Sequence, residues 1–295
     1  MDLFTIKIIK FPLFCVLAGG LIFSLFFSFA AEQSVTDATG TVLEFSSPPE
    51  RVVSLNPDFT DILFALGRGD KVVGVTTACR LPASKSNIKR VGTLFQPALE
   101  TITVLRPDLV LATMEGNNPR TIAALRRLNI PTYVAPPRRS LGAYYSIVEV
   151  LGDLFGEEKK ASELAGEFRE AAEDVADRVS ERENVSVFVQ LGRRPLVSVS
   201  SGTLIDELIG IAGGKNICRQ LPGRYPVVSR EEVISKDPEV IVITGMEEKG
   251  NDIHCWNNLE NLRAAREGRI YRIDPDDICH LGPRLKEGLL ELARL

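Results

Sequence analysis

Residues Leu99–Thr113 read LETITVLRPDLVLAT, and residues Arg230–Thr244 read REEVISKDPEVIVIT. In both, glutamate precedes proline by seven residues and threonine by thirteen. The proline stops a short helix, because it lacks an N–H and its ring disfavours the α conformation in the residue before it. An acidic residue follows, and an apolar run leads to the threonine. The flanking segments also correspond. Thr60-Asp61-Ile62-Leu63 running to Gly67 has a counterpart in Leu204-Ile205-Asp206-Glu207-Leu208 running to Gly213. A helix–turn–strand unit repeated this far apart points to two similar lobes.

Outward from the first copy, strands and helices alternate. Arg51–Leu55 reads as a strand, Asn56-Pro57-Asp58 as a turn, and a helix from Thr60 carries Ile62, Leu63 and Leu66 on one face before Gly67 and Gly69. Strands are expected at Lys71–Val75, Leu109–Ala112 and Pro131–Val134, and helices at Leu99–Leu105 and Arg120–Leu128. Helices of this length between strands imply parallel βαβ units with both sheet faces covered. From Leu141 to about Arg182 the pattern is helical without a strand, with one helix ending near Phe155 and a long one after it. Alternation resumes at Val185–Leu191. The expected fold is α/β: two Rossmann-like lobes, each a parallel sheet with flanking helices, joined by a long rigid helix. Its segments are an export signal at 1–30, an N-terminal extension at 31–47, a first lobe at 48–140, a helical connector at 141–183 and a second lobe at 184–295.

The export signal rests on Lys7 and Lys10, the apolar run Phe11–Phe29, and the small residues of Ser28-Phe29-Ala30 at its end. About 20 apolar residues also suffice to span a bilayer, so an uncleaved signal would anchor the chain. Cys15 lies within the apolar run without the small residues that precede a lipoprotein cleavage site. Without residues 1–30 the chain carries 33 basic and 38 acidic side chains, a net charge of −5. That balance excludes nucleic acid as the main partner, since phosphate binding needs a concentrated basic face.

The chemistry points to binding and away from catalysis. The sequence has no G-x-S-x-G, no H-E-x-x-H and no G-x-x-x-x-G-K-[ST] motif. Gly67-Arg68-Gly69 lacks the third glycine of a dinucleotide loop and follows a helix instead of a strand. The two histidines, His254 and His280, are all that acid–base chemistry could draw on besides carboxylates. Cys79, Cys218, Cys255 and Cys279 form no C-x-x-C pair, so zinc-ribbon spacing is absent. In His254-Cys255 and Cys279-His280 neighbouring side chains point to opposite faces of an extended segment, so neither dipeptide suggests a metal site. A disulfide in the second lobe is expected, with Cys255–Cys279 the leading pair and Cys218 an alternative partner. A binding protein needs only a cleft, which in α/β lobes lies beyond the carboxyl ends of the strands. The loops expected there are Asn56–Asp58, Thr76–Arg80, Met114–Pro119, Gly192–Pro195, Met246–Asn251 and Pro275–Gly282.

Arg51-Val52-Val53-Ser54-Leu55-Asn56-Pro57, Pro107-Asp108-Leu109-Val110, Gly213-Gly214-Lys215-Asn216-Ile217 and Ser229-Arg230-Glu231-Glu232-Val233 resemble, in order and spacing, the periplasmic binding-protein family that serves importers of cobalamin, haem and ferric siderophores. The likeness runs from about residue 48 to 295 and is strongest to the cobalamin-binding members. It implies a ligand held between the lobes, little lobe closure, and an ABC-importer permease as partner. The ligand would be a cobalt- or iron-containing chelate, with no cofactor belonging to the protein itself. Glu100 and Glu231 would be the carboxylates, one per lobe, that meet permease arginines. A first-lobe ligand surface would draw on Asn56, Pro57, Asp58, Thr77, Cys79, Phe95 and Gln96. The second lobe would add Tyr225, Asp277 and His280. The chain departs from the cobalamin-binding pattern at Ala78 and Leu94, where aromatic residues are usual. At His280 it departs where a basic residue is usual, just before Gly282-Pro283-Arg284. His280 reads as a hydrogen-bonding cleft residue, with metal coordination its other conceivable role. The alternatives are a ferric-siderophore or haem binder and, from a different class, an exported α/β enzyme acting on a metal chelate.

Overall fold

The computed structural model describes residues 33–244 and 254–295, without the side chain of His254. The expected export signal, Cys15 and the loop Met246–Asn251 lie outside the described residues. The described residues pack as one compact unit.

The described chain opens with an antiparallel hairpin, β1 (Gln33–Thr36) and β2 (Val42–Phe45). The first lobe follows as β3 (Val52–Ser54), α1 (Pro57–Ala65), β4 (Val72–Val75), β5 (Lys89–Arg90), α2 (Leu99–Leu105), β6 (Leu109–Thr113), α3 (Pro119–Arg127) and β7 (Thr132–Ala135). Two helices connect onward, α4 (Leu141–Phe155) and α5 (Glu158–Val179). The second lobe begins with β8 (Val185–Gln190), the short hairpin β9 (Gly192–Arg193) and β10 (Leu196–Val197), α6 (Leu204–Ile211) and β11 (Gly214–Asn216). It ends with α7 (Arg230–Lys236), β12 (Val240–Ile243), α8 (His254–Asn257), α9 (Arg263–Arg266), β13 (Ile270–Arg272), α10 (Pro275–Ile278) and α11 (Leu285–Leu292).

Both main sheets are wholly parallel, with strand orders β5-β4-β3-β6-β7 and β11-β8-β12-β13. In each lobe the first strand is flanked by the second on one side and by the strand after the repeated helix on the other. The repeated segments therefore occupy equivalent places, as α2–β6 and α7–β12. Their helices end alike, with Arg106 and Asp237 both left-handed at φ 46° and 41°. The acid after the proline also works alike. Asp108 accepts from Glu50 N (2.7 Å) and Arg51 N (2.9 Å), and Glu239 accepts from Ser186 N (2.8 Å). Each carboxylate thus satisfies backbone donors at the start of its lobe's first strand. This explains why an acid recurs after the proline.

Strand residues alternate between two apolar layers, as the two-residue period of a strand requires. Leu109, Leu111, Val187, Val189, Val240 and Val242 join one core that runs through α4 and α5 and is shared by both lobes. Val110 and Ala112 pack on the outer side of the first sheet, and Phe188, Ile241 and Ile243 on the outer side of the second. Where α4 meets α5, Gly152 sits so close to Ala161 that an added Cβ would lie 2.4 Å from the alanine methyl. The 22 residues of α5 extend about 33 Å. Helix α1 starts at Pro57, earlier than expected at Thr60, because Asn56 caps it by accepting from Asp58 N (2.9 Å) and Pro57 occupies the first turn.

The anticipated Cys255–Cys279 bridge is absent. Cys279 is a free thiol with the Thr244 hydroxyl 3.7 Å away, and Cys79 and Cys218 are buried free thiols.

Candidate functional site

The carboxyl ends of the two parallel sheets point toward a cleft lined from both lobes. Glu115 follows β6 and Arg138 follows β7. Opposite them lie Leu191 after β8, Thr203, Leu204 and Ile205 at the start of α6, Tyr225, and Ile278, Cys279 and His280 after β13. A second cavity lies beside Val185, Gly214 and Val240, at the amino ends of the second-lobe strands. Ligands of open parallel sheets sit at the carboxyl ends, so the interlobe cleft is the candidate site.

Beside the cleft the lobes are joined by a charge network. Arg80, in the loop after β4, reaches Asp276 (2.7 Å) and Asp274 (3.3 Å) in the second lobe. Arg284 contacts Asp277 (2.6 Å) as well as Asp276 (3.5 Å) and Asp274 (3.6 Å). Asp58 is fully buried and pairs with Arg138 at 3.2 Å, with the backbone of Leu281 from the second lobe close by. Burial pushes the Asp58 carboxyl up against the pull of Arg138. Asp61, one turn along α1, is pushed up to about 7 by burial and by the charges of Asp58 and Asp276. His280 is pushed down by burial, which leaves the imidazole neutral, and its Nδ1 lies 3.2 Å from Asp276. The Arg80 pairs run from one lobe to the other in partly exposed surroundings and favour one way for the lobes to meet.

Of the residues nominated from sequence, the structure brings Tyr225 and His280 into the cleft lining. Asn56, Pro57 and Asp58 are buried in the first turn of α1 and its cap, where they hold backbone and Arg138. Cys79 is buried against the hydroxyls of Thr60 (3.3 Å) and Thr76 (3.4 Å). Thr77 and Gln96 are exposed, Gln96 in a turn closed onto Thr93. Phe95 is an exposed aromatic, with 67% of its surface in solvent. Asp277 belongs to the charge network through Arg284. Glu100 and Glu231 are exposed in the first turns of α2 and α7.

Sequence reasoning missed Arg138 and did not single out Glu115. Glu115 accepts from Arg139 Nε in its own lobe (2.8 Å) and from Arg224 Nη2 in the other (3.2 Å). The signal for Arg138 was present in Pro136-Pro137-Arg138-Arg139, which directly follows a strand and so lies at a carboxyl end. Among the described residues no cluster of three or more His, Cys, Asp or Glu could hold a metal ion. Nor is any helix among them long and apolar enough to cross a membrane. What the arrangement can do is bind: apolar walls, a neutral imidazole, a phenol and paired charges surround an open space.

Comparison with known proteins agrees. A sequence profile of the periplasmic binding protein family matches residues 52–276. The chain is 30% identical over 267 residues to the uncharacterized ABC transporter substrate-binding lipoprotein YvrC of Bacillus subtilis, covering 88% of this chain and 84% of that protein. Its fold is similar to the crystal structure of the periplasmic vitamin B12 binding protein BtuF of Vibrio cholerae, at TM-score 0.72 and 26% identity, covering 84% of this chain and 96% of that one. It is also similar to a periplasmic haem binding protein of Pseudomonas aeruginosa, at TM-score 0.74 and 27% identity, covering 83% and 91%.

Proposed function

Because the chain belongs to the periplasmic binding protein family, and is therefore a non-enzymatic solute-binding component of an ABC importer, we propose that it captures cobalamin or a related corrinoid between its lobes and delivers it to the permease. The observation that carries this reading is the interlobe cleft, lined by both lobes at the carboxyl ends of two parallel sheets. A flat macrocycle suits a space with Leu191, Leu204, Ile205 and Ile278 on one side and the Tyr225 ring at its edge. Likeness to a vitamin B12 binding protein supports the corrinoid. Removal of residues 1–30 on export would leave the lobes at 48–140 and 184–295, with the connector at 141–183, outside the cytoplasm.

A second reading, haem or a ferric siderophore, is favoured by Arg139 and Arg224, which share the single carboxylate of Glu115 at the cleft. Neutral His280 would then stand in the cleft as a hydrogen-bonding group. Glu100 and Glu231, at equivalent positions of the two lobes, would meet permease arginines and fix the docking orientation. Purification from the native host, followed by a visible spectrum and mass spectrometry of the retained chelate, tests the ligand. Corrinoid bands are expected; a haem Soret band or a ferric-siderophore charge-transfer band would overturn the corrinoid assignment.

A further inference from the structure

The ion pair between Glu115, in the cleft lining, and Arg224, in the other lobe, joins the two lobes. We infer that Glu115 stands in for an acidic group of the ligand, and that a chelate bearing a carboxylate or phosphate binds by displacing it from Arg224 and Arg139. This rests on the solute-binding reading and adds the chemical class that the cleft selects.

The backbone around all three residues is held in place. Glu115 N donates to the Thr113 hydroxyl (3.0 Å), and Asn117 ties the same turn to Thr113 N (2.8 Å) and to the Leu94 carbonyl (2.8 Å). Gly116 adopts φ +109°, a conformation that favours glycine, which lets the chain reverse directly after Glu115. Arg224 is anchored through its carbonyl, which accepts from Ser200 N (2.9 Å), and Arg139 N bonds to the Pro137 carbonyl (2.9 Å). The side chains, by contrast, remain in contact with water: Arg139 is 47% exposed, Arg224 41% and Glu115 27%. Fixed backbones with wet charged ends describe a pair that exchanges partners readily.

The charge count gives the direction. Arg138, the arginine in the cleft lining, is already paired with buried Asp58. Arg139 and Arg224 share the Glu115 carboxylate as partner, so an acid from the ligand would release Glu115 or give each guanidinium a carboxylate of its own. Guanidinium groups hold carboxylate and phosphate in fixed, often bidentate geometry. The Tyr225 hydroxyl sits among the same groups, since Glu115, Arg138 and Arg224 all act on its ionisation. It offers a donor to the same acid.

Chelates with and without the acid test this. Haemin carries two carboxylates that its dimethyl ester masks, and cobalamin carries a phosphate that cobinamide lacks together with the rest of the nucleotide loop. Affinities of the wild type, Glu115→Gln and Arg224→Gln would be measured for both pairs by fluorescence or absorption titration. Glu115→Gln should shift affinity at least about threefold in favour of the acid-bearing member over the acid-free member of the recognised pair, and Arg224→Gln should bind the acid-bearing member more weakly. Equal effects of Glu115→Gln on both members, or no effect on either, would overturn the inference while chelate binding itself stood. Failure of every chelate to bind the wild type would overturn the solute-binding reading along with it.

Discussion

Asp61→Asn should make the protein more stable at alkaline pH and flatten its pH dependence. Asp61 lies on α1 beneath the second-lobe loop, with Gly282 close against its Cβ. Its carboxyl is pushed up to about 7, first by burial and then by Asp58 and Asp276, with Arg284 and Arg80 only partly offsetting them. An unfolded aspartate titrates near 3.8. Between these values the folded state binds the extra proton, so stability is fully present below the unfolded pKa and is lost as pH rises through about 7. At about 1.4 kcal/mol per pH unit, ionising Asp61 only in the unfolded chain costs the wild type about 2–3 kcal/mol between pH 5 and pH 8. Asparagine keeps the shape and cannot ionise. The stability difference between variant and wild type should therefore grow in the variant's favour by about that amount over the same range. Asp37, Glu157, Glu239 and Asp274, whose carboxyls are held low, slope the opposite way but do so in both proteins and cancel. Urea unfolding followed by circular dichroism at several pH values measures the difference. A pH-independent difference, or a wild type that gains on the variant as pH rises, would refute the reasoning.

Gly152→Ala should lower stability by about 1–3 kcal/mol, because the new methyl would sit 2.4 Å from Ala161 and prise α4 from α5; an unchanged melting temperature would contradict that packing. Reversing both docking candidates, Glu100→Lys with Glu231→Lys, should impair uptake in cells expressing the cognate permease, most at low salt, and leave chelate affinity unchanged. One reversal alone should show little, since an exposed pair is worth about 1 kcal/mol or less, and wild-type uptake by the double variant would remove the docking role.

What was legible in the sequence is what the backbone enforces locally. The proline and acid of each repeat encode a helix stop and a strand start, and both appear as such in the structure, down to the left-handed Arg106 and Asp237. The alternating apolar layers follow from β6, β8 and β12 alone. Asn56-Pro57 was ambiguous because the same pair opens a turn or caps a helix, and tertiary burial decided for the helix. The pairing of Glu115 with Arg224 was not legible at all. It joins residues 109 positions apart in different lobes, and nothing local requires it. The expected disulfide failed for the same reason: composition permits a bridge, but whether two thiols meet is decided by long-range packing, and Cys279 is left as a free thiol.

The central claim is that the interlobe cleft binds a chelate and leaves it chemically unchanged. Calorimetric titration of the exported chain with cobalamin, haemin and a ferric siderophore, with recovery and mass analysis of the bound compound, tests it most directly. One of the three should bind one-to-one and be recovered intact, with affinity about tenfold weaker in Tyr225→Ala, which removes an aromatic anchor from the cleft edge. A chemically altered product, no binding by any of the three, or binding indifferent to Tyr225→Ala would contradict it.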